Sequence, residues 1–194
     1  MKRIFIAIEL ERELKEMLSV IQCRIKPLLL RGRMADPRLF HMTLNYLGEI
    51  DEAAINRLKE TQPLWVNATV PFSMRTGMLR EFYRKNGSIL WAGVSSDDRL
   101  EAMAAEMGES LAVMGYQPPA NFTPHITLFR QAVFRNEAAR ETYLHMQFEE
   151  STQWVDSSCI MESIREDGQL NHQTVQSIFL KNSLQVIGID KSRN

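Results

Sequence analysis

The tetrapeptide His41-Met42-Thr43-Leu44 recurs as His125-Ile126-Thr127-Leu128, with positions 41 and 125 lying 84 apart. Each copy sits in a stretch with strand-like alternation, and each follows a predicted strand and helix. In a strand, residues i and i+2 project to the same face. His41 and Thr43 therefore point together, as do His125 and Thr127, while Met42/Leu44 and Ile126/Leu128 turn toward a core. If the two copies face each other across one cleft, they bring together two imidazoles with reference pKa values of about 6.5, one able to take a proton while the other gives one. The threonine hydroxyls can donate hydrogen bonds to the non-bridging oxygens of an anion held between them. Such a constellation suits in-line attack at phosphorus, with base and acid on opposite sides and no metal in the scheme. Taken singly, His-x-Thr in a strand is more often a packed histidine beside a threonine chosen for β propensity. The repetition gives the motif its weight.

His172-Gln173-Thr174 is a third occurrence of the pattern. It has Asn171 before it and polar residues at 173 and 176, lacks strand context, and is read as incidental. His145 falls on a predicted surface helix and receives no role.

The elements that must position the two motifs follow from periodicity. Residues 2–8, rich in Ile and Phe, predict a first buried strand. Leu14, Met17, Leu18, Ile21 and Ile25 recur at helical spacing within 11–30, a helix expected to end near Pro27. Residues 31–38 read as a polar connector with three arginines. Residues 39–47 predict a strand closing at Gly48, after which Asp51 would cap a helix holding Ile55, Leu58 and Leu64. Strands are expected over 66–76 and 88–94, with Asn86-Gly87 as a turn between them. Asp97 or Asp98 would start a second helix through Leu100, Met103, Met107 and Leu111, ending near Gly115. After Pro118-Pro119 come a strand over 124–129, a short helix near 136–147, and two last strands near 154–164 and 174–181. The helices are too few for strict βα alternation, so the expected class is α+β with mainly antiparallel sheets.

The composition sets bounds on partners. Of 194 residues, 44% are hydrophobic and 24% charged, enough apolar material for a folded domain. Lys and Arg number 23 against 24 Asp and Glu, a formal charge of −1, which argues against coating long nucleic acid by bulk charge and leaves room for a local basic pocket. No apolar run reaches the roughly 18 residues of a membrane span, and Glu9, Glu11 and Glu13 end the brief resemblance of the start to a signal peptide. Cys23 and Cys159 form no CxxC pair, in keeping with a reduced, cytoplasmic protein. Arg31, Arg33, Arg38, Arg75, Arg80, Arg84 and Lys85, interleaved with Phe40, Phe82 and Tyr83, could form a basic rim with stacking platforms for an RNA end, or simply be charged loops around core aromatics.

At the two motifs the chain resembles the 2H phosphoesterase superfamily, within it most nearly the bacterial and archaeal 2′-5′ RNA ligase or RNA 2′,3′-cyclic phosphodiesterase branch. Leu39 to Glu49 (LFHMTLNYLGE) is similar to the family's first block and Phe122 to Arg130 (FTPHITLFR) to its second. Arg3-Ile4-Phe5-Ile6-Ala7-Ile8 and Leu90-Trp91-Ala92-Gly93-Val94 also have family counterparts. The resemblance implies one domain over 1–194, bilobal, with two pseudo-symmetric sheets facing a central cleft and helices outside. It implies hydrolysis of RNA ends or nucleoside 2′,3′-cyclic phosphates to 2′-phosphomonoesters without a cofactor. His41 would protonate the leaving 3′-oxygen, His125 would activate water, and Thr43 and Thr127 would hold the phosphate. Arg130 keeps the family's arginine and would reach the phosphate only if its strand bends. Tyr46 stands for the usual Phe, and Phe129 for a small residue, a change expected at the pocket wall. No GxxxxGK[ST] or adenylating-lysine motif is present, so any 2′-5′ ligation would draw on the cyclic phosphate itself. A non-catalytic RNA- or nucleotide-binding module remains the alternative. A monomer without a protein partner is expected.

Overall fold

The central run Ile4-Phe5-Ile6-Ala7-Ile8 is buried at every position, which an alternating strand permits only when both of its faces are covered. In the computed structural model, which describes residues 1–61, 70–117 and 121–180, this run lies in β1 (Lys2–Glu9). Ile4, Ile6 and Ile8 join the main core, while Phe5 and Ala7 pack on Cys159 and Met161 on the opposite face. The amphipathic helix α1 (Arg12–Ile25) follows and buries Leu14, Leu18, Ile21 and Ile25, one stripe at helical spacing. Pro27 opens no further α-turn; a single 3₁₀ turn, Lys26–Leu28, leads into β2 (Leu29–Met34). Here the structure departs from the expected polar connector. Only Leu29 of β2 is buried, and the strand exists because its backbone pairs with another strand at a sheet edge, where side-chain alternation carries little signal.

The first motif opens β3 (His41–Ile50), which runs past Gly48 instead of closing there: Gly48, at φ +80, adjoins a bulge between the Ile4–Gly48 and Phe5–Tyr46 pairs. Asp51 caps α2 (Glu52–Thr61), its Oδ1 accepting from the Ala54 N–H at 2.7 Å. Ile55 and Leu58 are buried beneath it, and Leu64 lies outside the described residues. The strand expected over 66–76 is observed as β4 (Phe72–Phe82), residues 66–69 lying outside the description. The Asn86-Gly87 turn, with Gly87 at φ +109, returns the chain into β5 (Ser88–Ser95). In α3 (Arg99–Val113) the Ser96 hydroxyl, not Asp97 or Asp98, accepts from the helix's Leu100 N–H.

The second motif opens β6 (His125–Phe134), longer than the expected 124–129; Pro118-Pro119 lies outside the described residues. Asn136 caps α4 (Glu137–Leu144). The end of the chain differs from the two strands expected: β7 (Ser151–Val155), β8 (Ser157–Glu166) and β9 (Gln169–Phe179) are present, the last two joined by Asp167-Gly168, both at positive φ. Asp-Gly is the pair a two-residue hairpin turn selects.

Every strand pairing is antiparallel, giving an α+β fold with sheets in the orders β3-β1-β8-β9 and β2-β6-β5-β4-β7. Setting β2 aside, each sheet has four strands with the motif strand at one edge beside its partner, β3-β1 in one and β6-β5 in the other, while the outer strands β8-β9 and β4-β7 are connected differently. The 84-residue offset also holds in the partner strands: Ala7 and Ile8 oppose Thr43 and Met42, and Trp91 and Ala92 oppose Thr127 and Ile126. One hydrophobic core, including Ile6, Leu18, Met42, Leu90, Met107 and Ile126, runs behind both sheets. No helix among the described residues is long and apolar enough to cross a membrane.

Candidate functional site

Burial in β3 and β6 follows the same pattern over the motifs. Met42, Leu44, Ile126 and Leu128 are buried, and the two His-Thr pairs are half-buried on the opposite face. All four polar side chains line one cavity of about 670 Å³ between the sheets, together with Arg130. Each imidazole is fixed in the same way. Nδ1 of His41 lies 2.7 Å from the Leu39 carbonyl, and Nδ1 of His125 lies 2.7 Å from the Thr123 carbonyl. In each neutral ring Nδ1–H donates to that carbonyl, which leaves Nε2 as the nitrogen free to exchange a proton.

Arg130 reaches the cavity because β6 is irregular. Strict alternation from Thr127 would send Phe129 to the cavity and Arg130 away. The pairing steps from Trp91–Thr127 to Leu90–Phe129, so Leu128 is an extra residue and the phase changes by one. Phe129 becomes buried and Arg130 turns inward. Strand β3 does the same at Leu44, between the Ala7–Thr43 and Ile6–Asn45 pairs, and so turns Tyr46 to the cavity at the position equivalent to Arg130. The carbonyl of the bulged Leu128 accepts from the Ala35 N–H at 2.9 Å and from Nε2 of the buried Gln22 at 2.8 Å. Gln22, on α1, is thus a support of the site that periodicity in the sequence does not mark.

Two rings back each histidine. Phe5 and His172 stand 4.8 and 5.0 Å from the His41 ring, and Phe82 and Trp91 stand 5.0 and 5.7 Å from that of His125. Behind Trp91, the Tyr143 hydroxyl accepts from the Trp91 N–H at 3.2 Å and donates to the Arg80 carbonyl at 2.6 Å, tying α4 to β4 and β5. Burial pushes the His41 pKa down to about 4, with the charges of His172, Arg130 and Lys15 acting in the same direction against the Leu39 hydrogen bond. Burial also lowers that of His125, and Arg130 adds to the effect. Both rings are therefore neutral at pH 7 in the open cavity. Burial and the nearby Arg33 pull Arg130 down as well, so three cationic or potentially cationic groups converge on the cavity.

Several expectations change. The basic rim is built from Arg3, Arg33, Arg130 and Arg165; of the residues expected to form it, only Arg33 and Phe40 line the cavity. Arg38 is paired with Asp36, Arg31 lies at a second cavity, and Phe82 packs on Trp91. Phe129 leaves the central wall unchanged, since it is buried and borders only that second cavity. His172, read as incidental, lies within β9 and lines the central cavity; the Asp167-Gly168 hairpin signal would have placed it on a strand. His145 is exposed and bonded to the Glu141 carbonyl, away from the cavity. Among the described residues no three His, Cys, Asp or Glu side chains group as a metal site would require.

The fold and the sequence are similar to those of known proteins. The structure superimposes on the crystal structure of E. coli LigT complexed with 3′-AMP with a TM-score of 0.76 at 20% identity, over 93% of this chain and 99% of that one. The chain is 34% identical to the RNA 2′,3′-cyclic phosphodiesterase of Thermotoga maritima over 66% of its own length and 69% of that protein's. It is 32% identical to the protein of the same name from Aquifex aeolicus, over 66% and 70%. The sequence profile of the 2′-5′ RNA ligase superfamily matches residues 10–167. The chain belongs to the 2′-5′ RNA ligase superfamily.

Proposed function

We propose that this protein hydrolyses 2′,3′-cyclic phosphates at RNA ends to 2′-phosphomonoesters. The observation that carries this is the pair of carbonyl-anchored imidazoles, His41 and His125, lining one cavity from opposite sheets in a chain of this superfamily. The cyclic phosphate sits between them. Nε2 of His125 takes a proton from water as the water oxygen bonds to phosphorus. The P–O3′ bond breaks, and Nε2 of His41 gives its proton to the departing 3′-oxygen. His125 ends protonated and His41 neutral, and exchange with solvent resets the pair. Thr43 and Thr127 donate to the non-bridging oxygens, and Arg130 balances charge that builds on them.

The low pKa of His41 fits the donor role. Its imidazolium is a strong acid once formed, and the phosphate anion supplies the negative charge that allows it to form. A cavity of about 670 Å³ exceeds what a cyclic phosphate fills, and the Arg3, Arg33 and Arg165 side chains around it suit the backbone of an attached RNA. Every proton in this scheme is moved by protein side chains, so turnover is expected to persist in EDTA. The chain is taken to act as a monomer of a single two-lobed domain in the cytoplasm, in keeping with its two free thiols, Cys23 and Cys159.

The test is turnover of an oligoribonucleotide with a 2′,3′-cyclic end by His41→Ala and His125→Ala. Each is expected to abolish kcat while circular dichroism and the melting temperature show a folded protein. Hydrolysis retained by either variant would remove that histidine from its role.

A further inference from the structure

The surroundings of the two cavity histidines repeat in shape but not in chemistry. On one side, Phe82 and Trp91 flank His125 and touch each other, ring centroids 4.8 Å apart. On the other, Phe5 and His172 flank His41 and touch each other at 5.0 Å. Where His125 has two non-ionising rings, His41 has one, and its second neighbour is an imidazole. His172 lies edge-on to His41, with an interplanar angle of 87°. It reaches there from β9, at the far edge of the sheet. Three strand spacings would hold β3 and β9 about 14 Å apart if that sheet were flat. The sheet is therefore strongly curled, and the curl delivers His172. Nδ1 of His172 is enclosed and makes no well-aligned hydrogen bond among the described residues, so beside the Asn171 backbone its Phe5 and His41 ring contacts hold it in place.

We propose that His172 is a positioning residue for His41: its ring fixes the plane in which Nε2 of His41 meets the substrate and keeps water from the buried edge of that imidazole. The proposal rests on the role given to His41 above. The wall works while His172 is uncharged. Burial holds His172 below the usual imidazole range against a hydrogen bond to the Asn171 backbone, and Arg130 reinforces the lowering. The other charged groups lining the cavity are Arg3, Arg33, Asp36 and Arg165, of which Arg3 is paired with Glu49 and Asp36 with Arg38. Lys15 faces His41 from α1, and the Glu9 carboxylate, opposite His41 in register, accepts from the Thr174 hydroxyl of β9. No carboxylate in this set is hydrogen-bonded to His172 itself.

Two variants test this. His172→Ala removes the wall, whereas His172→Phe keeps a ring and removes the ionisation. For His172→Ala, kcat is expected to fall about ten- to a hundredfold, the scale of a misplaced catalytic group, with KM little changed. The His41 midpoint, followed by NMR titration of its imidazole, should rise toward the ordinary value as water reaches the ring. His172→Phe is expected to restore both kcat and the low His41 midpoint to near wild type. Two results would overturn the proposal. One is His172→Ala with unchanged kcat and His41 midpoint. The other is His172→Phe losing activity with its His41 midpoint unmoved, which would make the imidazole itself a substrate contact. If the alanine variant does not fold, the phenylalanine variant decides by the same two readouts. The titration needs no substrate, so it decides the role of His172 even if no cyclic phosphate is turned over, a result that would defeat the proposed function instead.

Discussion

His41 and His125 each commit Nδ1 to a carbonyl two residues upstream, which leaves one nitrogen per ring for chemistry and makes the pH dependence of the pair predictable. Both pKa values lie below the reference 6.5, that of His41 near 4. On the free enzyme, kcat/KM requires one ring protonated and the other neutral, so it rises above the lower pKa and falls above the higher one. Its maximum is therefore expected below pH 6.5. Bound phosphate favours the protonated rings, so the kcat optimum should lie at higher pH than that of kcat/KM. Coincident optima above pH 7 would contradict the lowered values. Thr43→Val and Thr127→Val keep shape and remove a donor; each should lower kcat by about a hundredfold or more, the scale of a lost oxyanion donor. Both His-Thr pairs were legible in the sequence because alternation alone puts them on one face. His172 was not, since its partner residue His41 lies three strands away and no local pattern encodes the curl of the sheet.

Bulges decide which side chains the strands deliver. Leu128 in β6 and Leu44 in β3 each shift the alternation by one, and only for that reason do Arg130 and Tyr46 face the cavity. Sequence made the arginine conditional on a bend; the bend is a bulge whose carbonyl is satisfied by Ala35 and Gln22. Gln22→Met removes that side-chain donor, and Gln22 also donates to the Ala35 carbonyl. Unfolding in urea should show a loss of about 1–3 kcal/mol, the cost of buried carbonyls left short of a donor. Steady-state kinetics should show a smaller kcat/KM with the same trend as Arg130→Ala. Unchanged kinetics alongside lost stability would mean that Arg130 is held without Gln22. Strands β1, β3, β5 and β6 and helices α1, α2 and α3 were legible from apolar periodicity. Strand β2 was not, because an edge strand exposing Arg31 and Arg33 is defined by backbone pairing with β6. Strands β8 and β9 lie where two last strands are expected, but run up to the Asp167-Gly168 hairpin turn, a signal beyond apolar alternation.

At the scale of the molecule, one core supports two matched sheets, and the site is the space between them. Holding histidines neutral in that space makes stability depend on pH. A ring whose folded pKa is depressed binds its proton more readily in the unfolded chain, so stability falls as pH drops from 6.5 toward the folded value. For His41, with a folded pKa near 4, the loss at pH 5 is about 2 kcal/mol. Between pH 7 and pH 5 the wild type should thus lose about 2 kcal/mol more than His41→Asn in urea unfolding. Parallel losses would show that His41 titrates normally. The antiparallel α+β class was legible from the element order, and the two-lobed arrangement was what the family resemblance implied; the equivalent placing of β3-β1 and β6-β5 emerges only from the pairing. The central claim is hydrolysis by two imidazoles with defined regiochemistry, and phosphorus NMR of the product tests it most directly. Purified protein incubated with 2′,3′-cyclic AMP in EDTA should yield the 2′-phosphate alone. A 3′-phosphate product, or turnover that EDTA abolishes, would contradict it.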